Sequence, residues 1–249
     1  MPINGFVGIN TLYLALLRHK NISSVDFSQM RFCGAGAMPM SLLVAEEWKR
    51  VTGCEIIEGY GLTECSPVVS VNIPGKIKYG TVGPLVPETE MRVISDGGED
   101  VIKGKRGELW IRGPQVMLGY WQKDEANKET ITEDGWLKTG DYVEVTADDY
   151  ITIVDRKKEI YKNSRGQTIS PQKIENLFQD FEAIRSVFLV GDGREFNTIL
   201  LYPEPENDAV DLQTMSHEEV RTYFSSLVFS VNTFLHCLLY TSPSPRDRG

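Results

Sequence analysis

The most informative stretch of this sequence is Glu58-Gly59-Tyr60-Gly61-Leu62-Thr63-Glu64, which combines turn glycines with hydroxyl and carboxylate groups. It follows a short predicted strand at residues 55–57, and its glycines permit a tight turn and a close approach of the backbone to a ligand. Tyr60 offers an aromatic face to a planar base, Thr63 offers a hydroxyl to a phosphate, and Glu64 offers an oxygen ligand to Mg²⁺. An ordinary strand-to-loop turn is the better explanation of an isolated Gly-Tyr-Gly, so the stretch needs support from the rest of the chain.

The sequence before this stretch predicts an α/β layer. Residues 9–19 repeat apolar side chains at helical spacing. Residues 31–33 are a predicted strand that leads into the glycine-rich Gly34-Ala35-Gly36-Ala37. Residues 41–51 are a predicted helix closed by Gly53, because glycine most easily adopts the left-handed conformation of a C-terminal cap. Strand, glycine turn, helix and strand in this order are typical of an α/β layer.

From about Gly80 the pattern changes to short β-rich runs divided by turn residues. The runs lie at residues 91–94, 108–111, 142–145 and 150–154. They predict a small β-rich subdomain that follows the α/β layer.

The sequence after residue 156 predicts a small α+β domain. Ser170-Pro171 is typical of a helix start. Strands are predicted at residues 186–190 and 198–202, and Ser216-x-x-Glu219 is a capping box that begins a second helix. The predicted fold class is therefore an α/β large-domain remnant with a β-rich subdomain, followed by a small α+β C-terminal domain.

We place the domain boundary at the change of pattern. Residues 1–154 are expected to be the C-terminal part of a large domain, residues 155–158 a hinge, and residues 159–235 a truncated, mobile C-terminal domain. Residues 236–249 lack a packing pattern and are expected to be a non-native tail, with a natural disordered terminus as the alternative.

The composition limits the function classes. Acidic residues outnumber basic ones by 35 to 26, for a net charge of −9, which argues against a broad nucleic-acid-binding surface. The four cysteines have no metal-type spacing. No signal peptide and no apolar run of about 18–20 residues is present, so we expect a cytoplasmic protein.

Two further segments combine glycines, carboxylates and basic groups. Residues 134–141 end in Gly140-Asp141 before a strand, where a carboxylate can accept two ribose hydroxyls, although a turn aspartate bonded to its own backbone is common. Residues 154–160 contain Arg156-Lys157-Lys158. A basic cluster usually marks a solvated face, but at a domain boundary it can also contact an anion and serve as a hinge.

Together, the three segments resemble the adenylate-forming superfamily, and within it the long-chain fatty-acyl-CoA synthetases. The matching parts are residues 59–64, the phrase Gly-Pro-Gln-Val-Met-Leu-Gly-Tyr-Trp at residues 113–121, and the continuous block at residues 134–158. Their order and spacing also agree, and the resemblance spans roughly residues 6–235.

The resemblance implies a set of nucleotide-binding residues. Those expected around the adenine are Gly34, Ala35, Gly36 and Tyr60, with the Tyr60 ring stacked on the base. Gly61 is also expected to bind the nucleotide. Asp141 and Arg156 are expected to hold the ribose.

The resemblance also implies residues that act in the reaction. Thr63 is expected to contact the phosphate and Glu64 to bind Mg²⁺. Lys158 matches the hinge position about which the family's small domain rotates between two half-reactions. Gly166 matches the glycine beside the pantetheine tunnel.

The implied reaction joins a fatty acid to coenzyme A with ATP and Mg²⁺, through an acyl-adenylate. The family's phosphate loop is expected upstream of residue 1, and its C-terminal lysine downstream of residue 235. Losing one charge-stabilising donor costs about 10²–10³-fold in rate, and losing the phosphate loop removes the amides that hold the phosphates. We therefore expect the 249 residues alone to be inactive or nearly so.

Two alternatives remain at this point. One is adenylation with another acceptor, as in peptide-synthetase adenylation domains or luciferases, although the 113–121 phrase and the 134–158 block favour the synthetases. The other is a non-catalytic nucleotide- or acyl-binding module. The expected partners are small molecules and no nucleic acid, with peripheral contact with the inner face of a membrane. The sequence predicts neither acyl chain length nor oligomeric state.

Overall fold

The fold is known from a computed structural model that describes residues 3–178, 181–207 and 209–234. The chain divides into two compact units between Lys157 and Lys158. The expected tail at residues 236–249 lies outside the described residues.

The first unit begins with a four-stranded sheet whose strands lie in chain order. Two helices connect the first three strands, which are parallel, and the fourth strand is antiparallel to the third. The elements are β1 (Gly5–Gly8), α1 (Asn10–Arg18), β2 (Phe32–Ala35), α2 (Leu42–Thr52), β3 (Ile56–Gly61) and β4 (Val68–Val71). Both predicted helices are confirmed, and Gly53 caps α2 with a φ of 74°.

The glycine-rich segments differ from the prediction, because both continue the strands that precede them. Strand β2 includes Gly34 and Ala35, and β3 runs through Gly59 to Gly61. The predicted tight turn at Gly59–Gly61 is therefore wrong. The physical reason is that β4 pairs along this segment so closely that a Cβ on Gly61 would overlap the carbonyl oxygen of Pro67. Glycine in a strand often marks such a close approach of another backbone.

The predicted β-rich subdomain is an antiparallel sheet of four strands in chain order. Its elements are β5 (Glu90–Ile94), β6 (Arg106–Arg112), α3 (Asp124–Thr130), β7 (Leu137–Val145) and β8 (Ile151–Arg156). Helix α3 was not predicted, because its seven residues carry no apolar stripe and none of them is buried. One apolar core joins this sheet to the first, with Val69 of β4 packed in the same cluster as Leu109 and Ile151.

The second unit is α+β, as predicted. Its described residues form two hairpins and two α-helices around a core that includes Phe178 and Val231. The elements are β9 (Tyr161–Lys162), β10 (Thr168–Ile169), α4 (Pro171–Glu175), β11 (Ile184–Val190), β12 (Thr198–Pro203) and α5 (His217–Phe234). The capping box is confirmed, because Ser216 N donates to Glu219 Oε2 at 2.8 Å and Glu219 N donates to Ser216 Oγ at 3.3 Å. Among the helices described, none is long and apolar enough to span a bilayer.

Candidate functional site

Tyr60, Asp141 and Arg156 form one hydrogen-bonded group, hereafter the Asp141 network. Tyr60 lies in β3 of the first sheet, while Asp141 and Arg156 are paired neighbours on β7 and β8 of the second. The Tyr60 hydroxyl donates to Asp141 Oδ2 at 2.5 Å, and Arg156 Nε lies 3.0 Å from Asp141 Oδ1. Both oxygens of the carboxylate therefore have a donor, supplied by residues 81 and 15 positions away in the sequence.

Burial and charge act in opposite directions on Asp141, which is only 3% exposed. Burial raises the pKa of the Asp141 carboxyl, whereas the Tyr60 hydrogen bond and the Arg156 charge lower that pKa. The neighbouring Thr139 holds the arrangement in place. Its hydroxyl accepts from Asp141 N at 3.1 Å, and its carbonyl accepts from Arg156 Nη1 at 3.2 Å.

Glu108 of β6 fastens the backbone beside the Asp141 network. Its buried carboxylate accepts from Gly140 N at 3.2 Å and pairs with Lys157 Nζ at 2.8 Å. Lys157 N in turn donates to Gly140 O at 2.8 Å. Gly140, at a φ of 73°, is thus held on both of its backbone polar groups directly before Asp141.

Glu64 lies in the short turn after β3 and is held by the segment that precedes α3. The Tyr120 hydroxyl donates to Glu64 Oε1 at 2.6 Å, and Met117 N donates to Glu64 O at 2.8 Å. The Tyr120 hydrogen bond is the main cause that lowers the pKa of the Glu64 carboxyl, and the charge of Arg156 acts in the same direction. Glu64 therefore lies within the electrostatic reach of the Asp141 network.

The donor set around Glu64 fits Mg²⁺ in the way that nucleotide enzymes bind it. Within the described residues, no three His, Cys, Asp or Glu side chains converge on one metal position. Mg²⁺ usually keeps several waters and is bound by one or two carboxylates together with substrate phosphates. A single half-buried carboxylate such as Glu64 matches that mode.

The remaining sequence-predicted residues of the first unit lie next to this site in the chain or in the sheet. Gly34 and Ala35 pair with β3, and a Cβ on Gly36 would lie 3.2 Å from Gly59 O, so the Gly36 backbone passes close to Gly59 of β3. Thr63 is exposed beside Glu64 in the turn.

Lys158 and Gly166 belong to the second unit. Lys158 is exposed at its first position. Gly166 lies between β9 and β10 at a φ of 75° and donates to Asn163 O at 2.9 Å. The Asn163 side chain accepts from the backbone N–H groups of Arg165 and Gln167 at 3.0 and 2.9 Å, which fixes this turn.

Sequence reasoning missed Glu58, a carboxylic acid with 6% exposure. Its Oε1 accepts from Met40 N at 3.1 Å, while its buried Oε2 has no hydrogen-bond partner among the described residues. Burial raises the pKa of Glu58 from 4.5 to about 7. The alternation of β3 contained the signal, since Glu58 faces the same side as the buried Ile56.

Replacing Glu58 with glutamine should stabilise the fold more at pH 8 than at pH 5, by roughly 2–3 kcal/mol. The folded state holds the Glu58 proton more tightly than the unfolded chain does. Its favourable contribution is therefore complete below about pH 4.5 and is lost as the pH rises through about 7. Glutamine can still accept from Met40 N and carries no charge to desolvate. Urea unfolding of both proteins at the two pH values measures this difference, and an effect of equal size at both would contradict it.

Comparisons with known proteins agree with this fold. A family model described as AMP-binding enzyme matches residues 2–121. A crystal structure of the anthranilate CoA ligase AuaEII with anthranoyl-AMP is 26% identical with a TM-score of 0.74, over 91% of this chain and 43% of that one. A benzoate CoA ligase from Burkholderia xenovorans LB400 is 22% identical with a TM-score of 0.76, over 96% of this chain and 46% of that one, and shares the fold.

Curated relatives are more similar in sequence. A long-chain-fatty-acid–CoA ligase of Salmonella typhimurium is 44% identical over 192 residues, which are 76% of this chain and 34% of the relative. One from Escherichia coli O157:H7 is 38% identical over 229 residues, 89% of this chain and 40% of the relative. The chain thus spans between a third and two fifths of the length of these relatives.

The fold is similar to that of adenylate-forming enzymes, the class that the solved structures above represent. Within that class, residues 2–121 are similar to the AMP-binding enzyme family, and longer stretches of the chain are similar to long-chain-fatty-acid–CoA ligases.

Proposed function

We propose that the protein carrying this sequence is an ATP-dependent, AMP-forming fatty acid–CoA ligase. The observation that carries the proposal is the Asp141 network, which unites three separately predicted nucleotide residues. The similarity to long-chain-fatty-acid–CoA ligases, at 38–44% identity in the two relatives above, supports a fatty acid as the substrate.

In this proposal the adenine lies between the Tyr60 ring and the backbone of Gly34, Ala35 and Gly36, close to Gly61. Asp141 accepts the ribose hydroxyls. Each of its oxygens has two lone pairs, so each can accept a further hydrogen bond beside the donor that it already has. Arg156 would hold the ribose together with Asp141, and its charge lowers the pKa of this buried carboxyl against the effect of burial.

Thr63 and Glu64 then lie on the phosphate side of the nucleotide. Glu64 is the carboxylate that would hold Mg²⁺, which supplies charge stabilisation to the phosphates when bound. The fatty acid carboxylate attacks the α-phosphorus, pyrophosphate leaves, and acyl-AMP forms. The thiol of coenzyme A then attacks the acyl carbon, and AMP leaves as the thioester forms. The protein's part is positioning and charge stabilisation.

We further propose that residues 155–158 are a hinge between a large-domain part at residues 1–154 and a mobile domain at residues 159–235. Lys158 would be the pivot, and Gly166 would lie beside the pantetheine arm of coenzyme A in the second half-reaction. The proposal also includes a cytoplasmic location with peripheral membrane contact, because fatty acids partition into bilayers.

The test is to supply palmitate, ATP, Mg²⁺ and coenzyme A to the full-length protein that carries this sequence and to measure AMP and palmitoyl-CoA together. We expect both products in equal amounts, and neither when any one substrate or Mg²⁺ is omitted. Palmitoyl-AMP without thioester would indicate a different acceptor. Tight nucleotide binding with no adenylate would indicate a non-catalytic binding module.

A further inference from the structure

We propose that Tyr120 is a positioning residue that orients the Glu64 carboxylate, and that Asn127 of α3 holds Tyr120 in the required place. The inference rests on the proposed function, in which Glu64 holds Mg²⁺ beside the phosphates of ATP. It gives a role to the phrase at residues 113–121, for which the family resemblance supplied none.

The first step is the direct contact with Glu64. The Tyr120 hydroxyl lies 2.6 Å from Glu64 Oε1 although 56 residues separate them. The same segment also binds the backbone of Glu64, through the hydrogen bond from Met117 N at 2.8 Å. A carboxylate is planar, so fixing one oxygen and the backbone together sets the direction in which the second oxygen points.

The second step is the pair of hydrogen bonds between the Asn127 side chain and the Tyr120 backbone, hereafter the bracket. Asn127 Oδ1 accepts from Tyr120 N at 2.6 Å, and Asn127 Nδ2 donates to Tyr120 O at 3.0 Å. One side-chain amide therefore binds both polar groups of the Tyr120 backbone. The close approach depends on Gly119, which has a φ of 141° and where a Cβ would lie 3.0 Å from the Asn127 side chain.

The bracket is built from a helix and not from a loose loop. Asn127 N donates to Lys123 O at 2.9 Å, and Asn127 O accepts from Ile131 N at 2.8 Å, so its own backbone is fixed within α3 and at its ends. The Tyr120 residue is nevertheless 37% exposed and contributes little to the apolar core. Geometry this rigid at an exposed phenol is more than packing requires, and the group that it acts on is the carboxylate.

The experiment uses the full chain and measures binding, not turnover. ATP binding is titrated at a series of Mg²⁺ concentrations, and AMP binding is titrated in EDTA, for wild type, Tyr120→Phe and Asn127→Ala. The Phe variant keeps the ring and the backbone bracket and removes only the hydroxyl. Tyr142→Phe is the matched control, since the hydroxyl of Tyr142 on β7 donates to the carboxylate of Asp96 in the turn after β5.

We expect Tyr120→Phe and Asn127→Ala each to raise the Mg²⁺ concentration needed for half-maximal ATP binding by about tenfold, the usual cost of losing an outer-shell partner of a metal ligand. AMP affinity in EDTA should stay within about twofold of wild type, because the metal ligand is not used. Tyr142→Phe should match wild type in both titrations.

Each other outcome is decisive. If wild type binds ATP with no dependence on Mg²⁺, the role of Glu64 in the proposed function fails, and the inference fails with it. If wild type depends on Mg²⁺ but Tyr120→Phe behaves identically, the inference alone is wrong. Two further results would show a general structural effect and would also overturn the inference. One is a loss of AMP affinity in Tyr120→Phe as large as its Mg²⁺ shift, and the other is the same Mg²⁺ shift in Tyr142→Phe.

Discussion

Replacing Asp141 with asparagine is expected to weaken AMP binding by about a hundredfold, measured by calorimetry in the absence of metal. Both carboxylate oxygens accept from donors, Tyr60 on one side and Arg156 on the other. An asparagine has only one oxygen, so its NH₂ group must face one of these two donors. The charged acceptor that we propose for the ribose hydroxyls is lost as well. Hydrogen bonds to charged groups contribute about 1.5–3 kcal/mol each, which corresponds to about 10²-fold for a single one at the upper end.

The matched control is Glu144→Gln on the same strand. Glu144 pairs with Arg106 at the surface, and neither belongs to the Asp141 network. AMP affinity should change by less than about twofold in this variant, because a surface pair contributes about 0–1 kcal/mol and does not contact the nucleotide. If Asp141→Asn remains folded and binds AMP as tightly as wild type, the ribose assignment is wrong.

Replacing Gly83 with alanine is expected to cost about 4 kcal/mol of unfolding free energy, a large part of the total stability of an ordinary domain. A Cβ at Gly83 would overlap the carbonyl group of Val71 and the amide nitrogen of Asn72. Neither of the two backbone segments can move away freely, because each is held by a hydrogen bond. Val71 N donates to Pro84 O at 3.1 Å, and Ile151 N donates to Gly83 O at 3.1 Å. The φ of 78° adds strain for any residue with a side chain.

Gly80→Ala separates the two causes. Gly80 has the same φ of 78°, but no atom lies within 4 Å of the position of its Cβ. It should lose only about 1 kcal/mol, the cost of the backbone conformation alone. Urea unfolding of the three proteins measures both values, and equal losses in the two variants would show that the overlap at Gly83 is relieved by relaxation.

Local patterns in the sequence were sufficient for elements whose signals are local. The apolar spacing of α1, the Gly53 cap of α2 and the capping box of α5 each depend on residues a few positions apart. Prediction from local patterns failed at Gly59–Gly61, where pairing with β4 overrides the turn preference of glycine. It also failed at α3, which has no buried face.

The candidate site likewise combines features that local patterns predict with features that they do not. Tyr60, Glu64, Asp141 and Arg156 were all named from motifs, but their roles as ligands remain predictions. What no local pattern could give is their partners, since Tyr60 meets Asp141 across 81 residues and Tyr120 meets Glu64 across 56. Such contacts are decided by the packing of the two sheets, which depends on the whole core.

The placement of Tyr60 on one sheet and of Asp141 on another has a thermodynamic consequence. A ligand that bridges the two side chains binds only the state in which both sheets are docked, so its binding energy adds to the cohesion of the first unit. Nucleotide should therefore slow the separation of the sheets and protect the amides of β3 and β7 together from hydrogen exchange. Substitutions in the shared core, far from any ligand atom, would then appear as weakened nucleotide affinity before they appear as loss of fold.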